Sequence, residues 1–347
     1  MRGSASLLLA LAGLALASAA DAQTSQKPVA PPAPSARTAP VSCANNPNVL
    51  GVSRVVEIDT TGGPRFGHLQ YKDINFLADG EVVLTFDDGP LKPHTKPILD
   101  ALDAQCTKAT FFMVGQMALA EPAMAKEVAR RGHTIGTHTW SHANLAKLTP
   151  LKARNEIELG ISAVQHAVGT PISPFFRFPY LSASKSILGY IQSRNLSAFS
   201  IEADSYDYRS KDANAVHKAI LDQLAARHKG ILLFHDIQPA TARALPGLLA
   251  ALKAKGYRIV HMKPKAPVTT LPEFDLLAVN SAARRRLLAG AAQPQLTSTG
   301  PAPAQQAGAI VVQTVPQAGA PAAPAPAGAA QVPPHGEDWR GQIFRTN

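Results

Sequence analysis

Between residues 81 and 262, short apolar runs alternate with longer segments whose apolar residues recur every three or four positions. The runs VVLTF (82–86), ATFFMVG (109–115), HTIGTHT (133–139), FFRFPY (175–180), LSAFSIEAD (196–204), GILLFHD (230–236) and YRIVHM (257–262) read as strands. Helices are predicted at about 96–105, 122–132, 150–168, 184–195, 212–228 and 245–255, the second with Arg130 and Arg131 in its last turn and Gly132 as its C-cap. Strand–helix alternation of this kind predicts an α/β fold, a parallel sheet with crossover helices. A full eight-unit barrel typically takes ~250 residues, and the alternating region has only about 185. The expected fold is therefore a distorted (β/α) barrel of about seven parallel strands, with an active site at their C-terminal ends. An open doubly wound sheet is the alternative, but no Gly-x-Gly-x-x-Gly supports it.

The flanks have a different character. Residues 1–22 combine a positive start, a short Leu/Ala run and a small-residue site, the pattern of a secretory signal peptide cleaved near Ala22. The apolar run is short for a membrane span, and nothing later could serve as one. Residues 23–42 form a Pro/Ala-rich stretch that cannot build a core and predict a disordered linker. Residues 43–79 read as a lead-in segment and 80–265 as the main folded domain. Residues 266–347 read as a largely disordered Ala/Pro-rich tail, most biased from about residue 293. A net charge of +10 is compatible with nucleic acid, but export makes an anionic envelope polymer the expected neighbour, with plain solubility the alternative and no nucleic-acid partner expected. Secretion or periplasmic residence would also expose Cys43 and Cys106 to an oxidising compartment, where a disulfide between them is expected. Neither lies in a Cys-x-x-Cys pair, which argues against zinc–thiolate chemistry.

Ionisable residues then fall where five predicted strands end: Asp87 and Asp88, His138 and His142, Arg177, Asp204, and His235 with Asp236. The C-terminal strand ends are where parallel α/β barrels build active sites. His138 and His142, four positions apart, would share one face of a helical turn. With one carboxylate they make a two-His, one-carboxylate metal set, which leaves positions open for water and substrate. Paired aspartates fit such a site: one can ligate the cation while the other stays free as a base. Leu233 and His235 share a strand face, an apolar wall beside a proton donor. Asp204 is placed to hold that imidazole and favour its charged form. His94 is expected at the surface, and His133 in a capping or packing role.

TFDDGP, HTWSH, RFPY, DSYDY and LLFHD, in that order, resemble the five motifs of the polysaccharide deacetylase family (NodB-homology domain, carbohydrate esterase family 4), over about residues 80–262. The resemblance implies a metal-dependent hydrolase that removes N-acetyl groups from an N-acetylglucosamine-containing polysaccharide. It implies Asp87 as general base, Asp88, His138 and His142 as metal ligands, and Arg177 as the partner of Asp87. It further implies the Tyr180 backbone N–H as an oxyanion donor, His235 as general acid tuned by Asp204, and Leu233 as lining for the acetyl methyl. Tyr208 stands where the family commonly has Trp, and Leu181-Ser182 follow where Gly is usual, so the groove differs from the family pattern there. Zinc is the expected metal, with cobalt and nickel also represented in the family. Alternatives are an O-acetyl esterase of the xylan type, a glycan-binding protein with weak activity, and metal-free hydrolysis of a small imide, which the complete ligand set disfavours.

Overall fold

The structure, a computed structural model, describes Cys43 and residues 46–72 and 75–291, with side chains as far as Leu287. The signal peptide and linker expected at 1–42 lie outside the described residues, as does the chain from 292 onward.

The apolar runs form strands β1 (Arg54–Ile58), β2 (Arg65–Phe66), β3 (Glu81–Asp87), β4 (Thr110–Met113), β5 (Thr134–Thr137), β6 (Phe175–Phe176), β7 (Ser197–Phe199), β8 (Ala203–Asp204), β9 (Gly230–His235) and β10 (Arg258–Pro264). Between and after them lie helices α1 (Lys92–Ala104), α2 (Gly115–Ala120), α3 (Pro122–Arg130), α4 (Pro150–Val168), α5 (Lys185–Ser193), α6 (Ala213–Arg227), α7 (Pro239–Ala254) and α8 (Pro272–Ala291). Sequence signals explain several helix ends. Thr149, Ser184 and Asp212 accept hydrogen bonds from the first turns of α4, α5 and α6, and Gly169 ends α4 in the left-handed conformation with φ 80°.

Neighbouring strands run parallel in the order β8-β9-β3-β4-β5-β6-β7, the parallel α/β arrangement the alternation implies, except that the run 196–204 read as one strand is split into β7 and β8 at opposite ends of this order. β2 continues the sheet beyond β7, while β10 joins the start of β3 and carries β1. No ladder joins β8 to β7 or β2 among the described residues, so the sheet is not closed by strand pairing. It is nonetheless strongly curled. Arg177, just past β6, donates both to Asp87 and Thr85 on β3 and to the carbonyls of Phe199 and Ser200 at the end of β7. One side chain thus reaches across from β3 to a strand four ladders away.

Strand alternation divides the core in two. Val82, Leu84 and Phe86 face the helices, whereas Val83, Phe112, Phe175, Phe199 and Ile231 fill the inside of the curl. Thr85 and Asp87 lie on the inner side with Val83, and Leu233 and His235 with Ile231. In register, Thr85 sits opposite Leu233 and Asp87 opposite His235.

Two boundaries differ from the sequence reading. The lead-in is part of the sheet through β1 and β2. The tail placed at 266–347 begins with structure: Val268 N donates to Ile172 O at 2.9 Å, and α8 packs on α4 with Phe274, Ala278 and Ala282 buried. The Leu, Ala and Arg of this stretch are good helix formers, and the Ala/Pro bias masked them. Cys43 and Cys106 form a disulfide, as expected.

Candidate active site

Asp87 ends β3 pointing inward. Its neighbour should point outward, but Asp88 adopts φ 77°, a left-handed conformation that Asp tolerates better than most residues. This single departure from the pleat turns both carboxylates into one cavity. Gly89 permits the following turn: a Cβ there would lie 2.1 Å from the Asp236 carboxylate, which accepts the Gly89 N–H at 2.9 Å. Asp236 also accepts from Thr95 Oγ1 at 2.7 Å, and burial, with the Asp88 charge adding to it, raises its pKa to about 7. It braces the turn from behind.

Asp88 Oδ1 lies 3.5 Å from His138 Nε2 and 3.3 Å from His142 Nε2, all three residues being buried. The expected helical turn is absent. Residues 138–142 form a loop with Thr139 at φ 69° and His142 at φ 59°, and the two imidazoles meet with centroids 4.9 Å apart. Glu156 on α4 holds this loop by accepting from Ser141 N at 2.9 Å and Ser141 Oγ at 2.8 Å. The donor set fits a cation. His138 Nδ1 donates to Arg177 O at 2.7 Å, which leaves the Nε2 lone pair facing Asp88. Burial, reinforced by the His142 and Arg177 charges, holds the His138 pKa well below its usual value, so the imidazole is a neutral ligand. Asp88 Oδ1 is buried without a hydrogen-bond partner, an acceptor that a cation would satisfy.

Asp87 sits beside this group with a different set of partners. Its Oδ1 accepts from Arg177 Nη1 at 2.8 Å, and Arg177 itself is fully buried. Burial raises the Asp87 pKa to about 6 against the opposing charges of Arg177 and His235. Opposite it, His235 Nδ1 donates to Asp207 Oδ1 at 2.7 Å. Burial alone would lower the His235 pKa, but Asp207, followed by Asp88 and Asp87, outweighs it and raises the value to about 10. A dication at Asp88 would cancel the part of that rise owed to Asp88.

The structure corrects the role expected of Asp204. That residue ends β8 and lines the pocket, yet its carboxylate accepts from Tyr206 N and Tyr208 Oη, not from His235. Asp207 holds the imidazole instead, and also accepts from His235 N at 2.7 Å and from Thr241 Oγ1. A turn after β8, with Tyr206 at φ 51°, folds the chain back and carries Asp207 inward. Strand-end pattern reading favours Asp204. The signal for Asp207 was its position in DSYDY, directly before the wall residue Tyr208.

Asp87, Asp88, His138, His142, Asp204 and His235 line a cavity of about 140 Å³ together with Phe178, Tyr180, Leu181, Tyr208, Leu233 and Gln238, while Arg177 and Asp207 support it from behind. Leu233 is buried beside His235, and the Tyr208 ring meets the imidazole edge-on at 5.5 Å. Tyr180 (φ 59°) and Leu181 (φ 49°) are successive left-handed residues, a strained wall where the sequence lacks a glycine. His133 packs against Phe111 and accepts from Ala109 N, remote from this site. His94, half-buried at the start of α1, is not among the residues lining the cavity.

A family profile described as polysaccharide deacetylase matches residues 77–199. The chain is 31% identical over 196 residues to a chitooligosaccharide deacetylase of Azorhizobium caulinodans, covering 51% of this chain and 90% of that one. It is 33% identical over 179 residues to the peptidoglycan-N-acetylglucosamine deacetylase PgdA of Listeria monocytogenes, covering 52% of this chain but only 37% of that protein. Among solved structures, the Bdellovibrio bacteriovorus peptidoglycan deacetylase Bd3279 superposes with a TM-score of 0.57 at 30% identity, over 66% of this chain and 64% of that chain.

Proposed function

Since the chain belongs to the polysaccharide deacetylase family, we propose that it is an exported, divalent-metal-dependent hydrolase that removes N-acetyl groups from an N-acetylglucosamine-containing polysaccharide. The observation that carries this reading is the convergence of three units on one cavity: Asp88–His138–His142, Asp87–Arg177 and His235–Asp207. Related deacetylases named for chitooligosaccharide and for peptidoglycan N-acetylglucosamine support the substrate class.

Asp88, His138 and His142 would hold the cation. Two neutral imidazoles and one carboxylate suit zinc, with cobalt or nickel as alternatives. When bound, it would supply Lewis acidity at the scissile carbonyl. The remaining work falls to this chain's own groups. Asp87 takes a proton from the attacking water as the new C–O bond forms, and Arg177 keeps its free oxygen aimed into the cavity. The Tyr180 backbone N–H is assigned to the developing oxyanion. His235 passes its Nε2 proton to the amide nitrogen as the C–N bond breaks, since an amine leaves readily only when protonated. Leu233 and Tyr208 wall the acetyl group. The products are acetate and a glucosamine unit. The cavity is sized for an acyl group, so the polymer would lie across its mouth.

The test is acetate release from N-acetylchitooligosaccharides by zinc-loaded protein, repeated after chelation and again after zinc is restored. Loss on chelation and recovery with zinc are expected. Absence of acetate from the loaded protein overturns the reading, and release from acetylated xylan alone would make it an O-acetyl esterase.

A further inference from the structure

Outside the catalytic groups, the turn next to the cavity-lining residues Asp204 and Tyr208 carries an arrangement that the reaction does not need. Arg209 follows the wall residue Tyr208, and its Cζ lies 4.7 Å from the Tyr206 ring centroid and 5.3 Å from that of Tyr208. The two rings stand nearly perpendicular, with centroids 6.4 Å apart. Arg209 N donates to Tyr206 O at 2.9 Å, and Tyr206 N donates to Asp204 Oδ1 at 2.9 Å. The guanidinium therefore rides on the same tight turn that delivers Asp207 to His235. It is exposed, and among the described residues no carboxylate forms an ion pair with it.

The loop carries charge of both signs, with Asp204 and Asp207 tied into hydrogen bonds of their own and Asp212 capping α6. Arg243 on α7 donates to Lys211 O, which brings a second guanidinium to the loop that carries Arg209. Stacking on aromatic faces restrains a guanidinium while leaving its N–H edge for a planar anion. Tyr206, itself exposed, adds an apolar ring face of the kind a sugar can lie against.

From this geometry we infer that Arg209, held on Tyr206 and Tyr208, is a binding residue for a carboxylate on the sugar neighbouring the one being deacetylated, so that the favoured substrate is an acidic glycan. The inference rests on the deacetylase reading and narrows its substrate class. A fork of guanidinium N–H groups matches a carboxylate in a way that a neutral hydroxymethyl group cannot. It also disfavours an ammonium at the same place, which is the group the reaction leaves behind. A run of already deacetylated sugars would therefore dock poorly there.

The experiment compares one N-acetylated, carboxylate-bearing glycan with the same glycan after its carboxylates are reduced to alcohols. Binding and acetate release are both measured for the wild-type protein, Arg209→Gln and Arg209→Lys. Wild type is expected to favour the acidic form about fivefold, as for one partly screened ion pair, with the difference in KM and diminishing as salt rises. Arg209→Gln should abolish the preference, and Arg209→Lys should retain part of it. Acetate release from both polymers with no preference, or a preference that survives in Arg209→Gln, overturns the inference and leaves the deacetylase reading intact. Arg209-dependent binding without acetate from either polymer supports the subsite and overturns the deacetylase reading. Absence of both overturns the two together.

Discussion

At the scale of single residues, the paired aspartates separate into two roles through backbone geometry. Asp87 follows the pleat and meets Arg177, whereas Asp88 breaks the pleat and meets the two histidines. Asp88→Asn should lower metal content and acetate release together, with partial rescue by excess zinc. Asp87→Asn should keep its metal and lose turnover by ~10²–10⁴-fold, the usual worth of a general base. Elemental analysis beside rate measurement decides between them, and a metal-free Asp87→Asn protein would reverse the assignment. The pH profile carries a second test. A base with its pKa raised to about 6 loses activity as pH falls through that value, and an acid raised to about 10 loses it as pH rises. Removing the Asp207 charge withdraws the largest favourable contribution to the His235 proton. Asp207→Asn should therefore move the alkaline limb to lower pH. It should also lower stability, because an amide cannot accept all three of the donors that Asp207 satisfies. Asp204→Asn should move the limb less, since Asp204 acts on the ring through space only. A larger shift from Asp204 than from Asp207 would restore the original assignment.

At the scale of elements, α8 is the piece whose contribution is easiest to misjudge. Its composition resembles the tail that follows, but Phe274, Ala278 and Ala282 are buried against the domain. Ending the chain at residue 271 should expose the face of α4 that they cover and lower the melting temperature clearly. Phe274→Ala in the full chain should cost about 3 kcal/mol by the usual worth of a buried Phe. Ending the chain at 291 should leave both stability and acetate release close to the full-length values. Loss of acetate release in that longer truncation, with folding intact, would assign the tail a catalytic role. The element-level prediction thus differs between two truncations only 20 residues apart.

For the whole molecule, the Cys43–Cys106 bond ties the N-terminal approach to the end of α1, at a sequence separation of 63. A loop of that length could gain up to about 4 kcal/mol from closure. The gain should be smaller here, because other contacts already hold the segment. Leu50 N donates to Gln105 Oε1 at 3.0 Å, Gly51 N donates to Gln105 O at 2.8 Å, and Lys253 Nζ donates to Val49 O at 3.0 Å. The double variant Cys43→Ser/Cys106→Ser should unfold at lower denaturant while keeping its kcat. A loss of kcat without a stability change would show that the bond shapes the site. If the protein is exported as proposed, its mature form should begin near Gln23, which N-terminal sequencing of envelope-fraction material would check; an intact N-terminus there would overturn cleavage.

The sequence by itself determined much of this protein, because the signals involved are local. Apolar runs and Gly/Pro breaks marked the strands. The alternation implied a parallel α/β sheet, and the polar residues at strand ends marked the face that carries the site. Residues that act from a strand's last position, such as Asp87 and His235, were legible because the pleat determines their direction. Only the tertiary structure decided what depends on the chain folding back on itself. The left-handed turn at Asp88, the loop instead of a helical turn at His138–His142, and the return of Asp207 to His235 each depend on partners far along the chain: Asp236, Glu156 and Thr241. The same holds for α8, whose apolar face has meaning only once α4 is opposite it. Local pattern specifies an element because neighbouring residues share its backbone. It cannot specify which of two aspartates three positions apart meets an imidazole, because that depends on how distant segments pack.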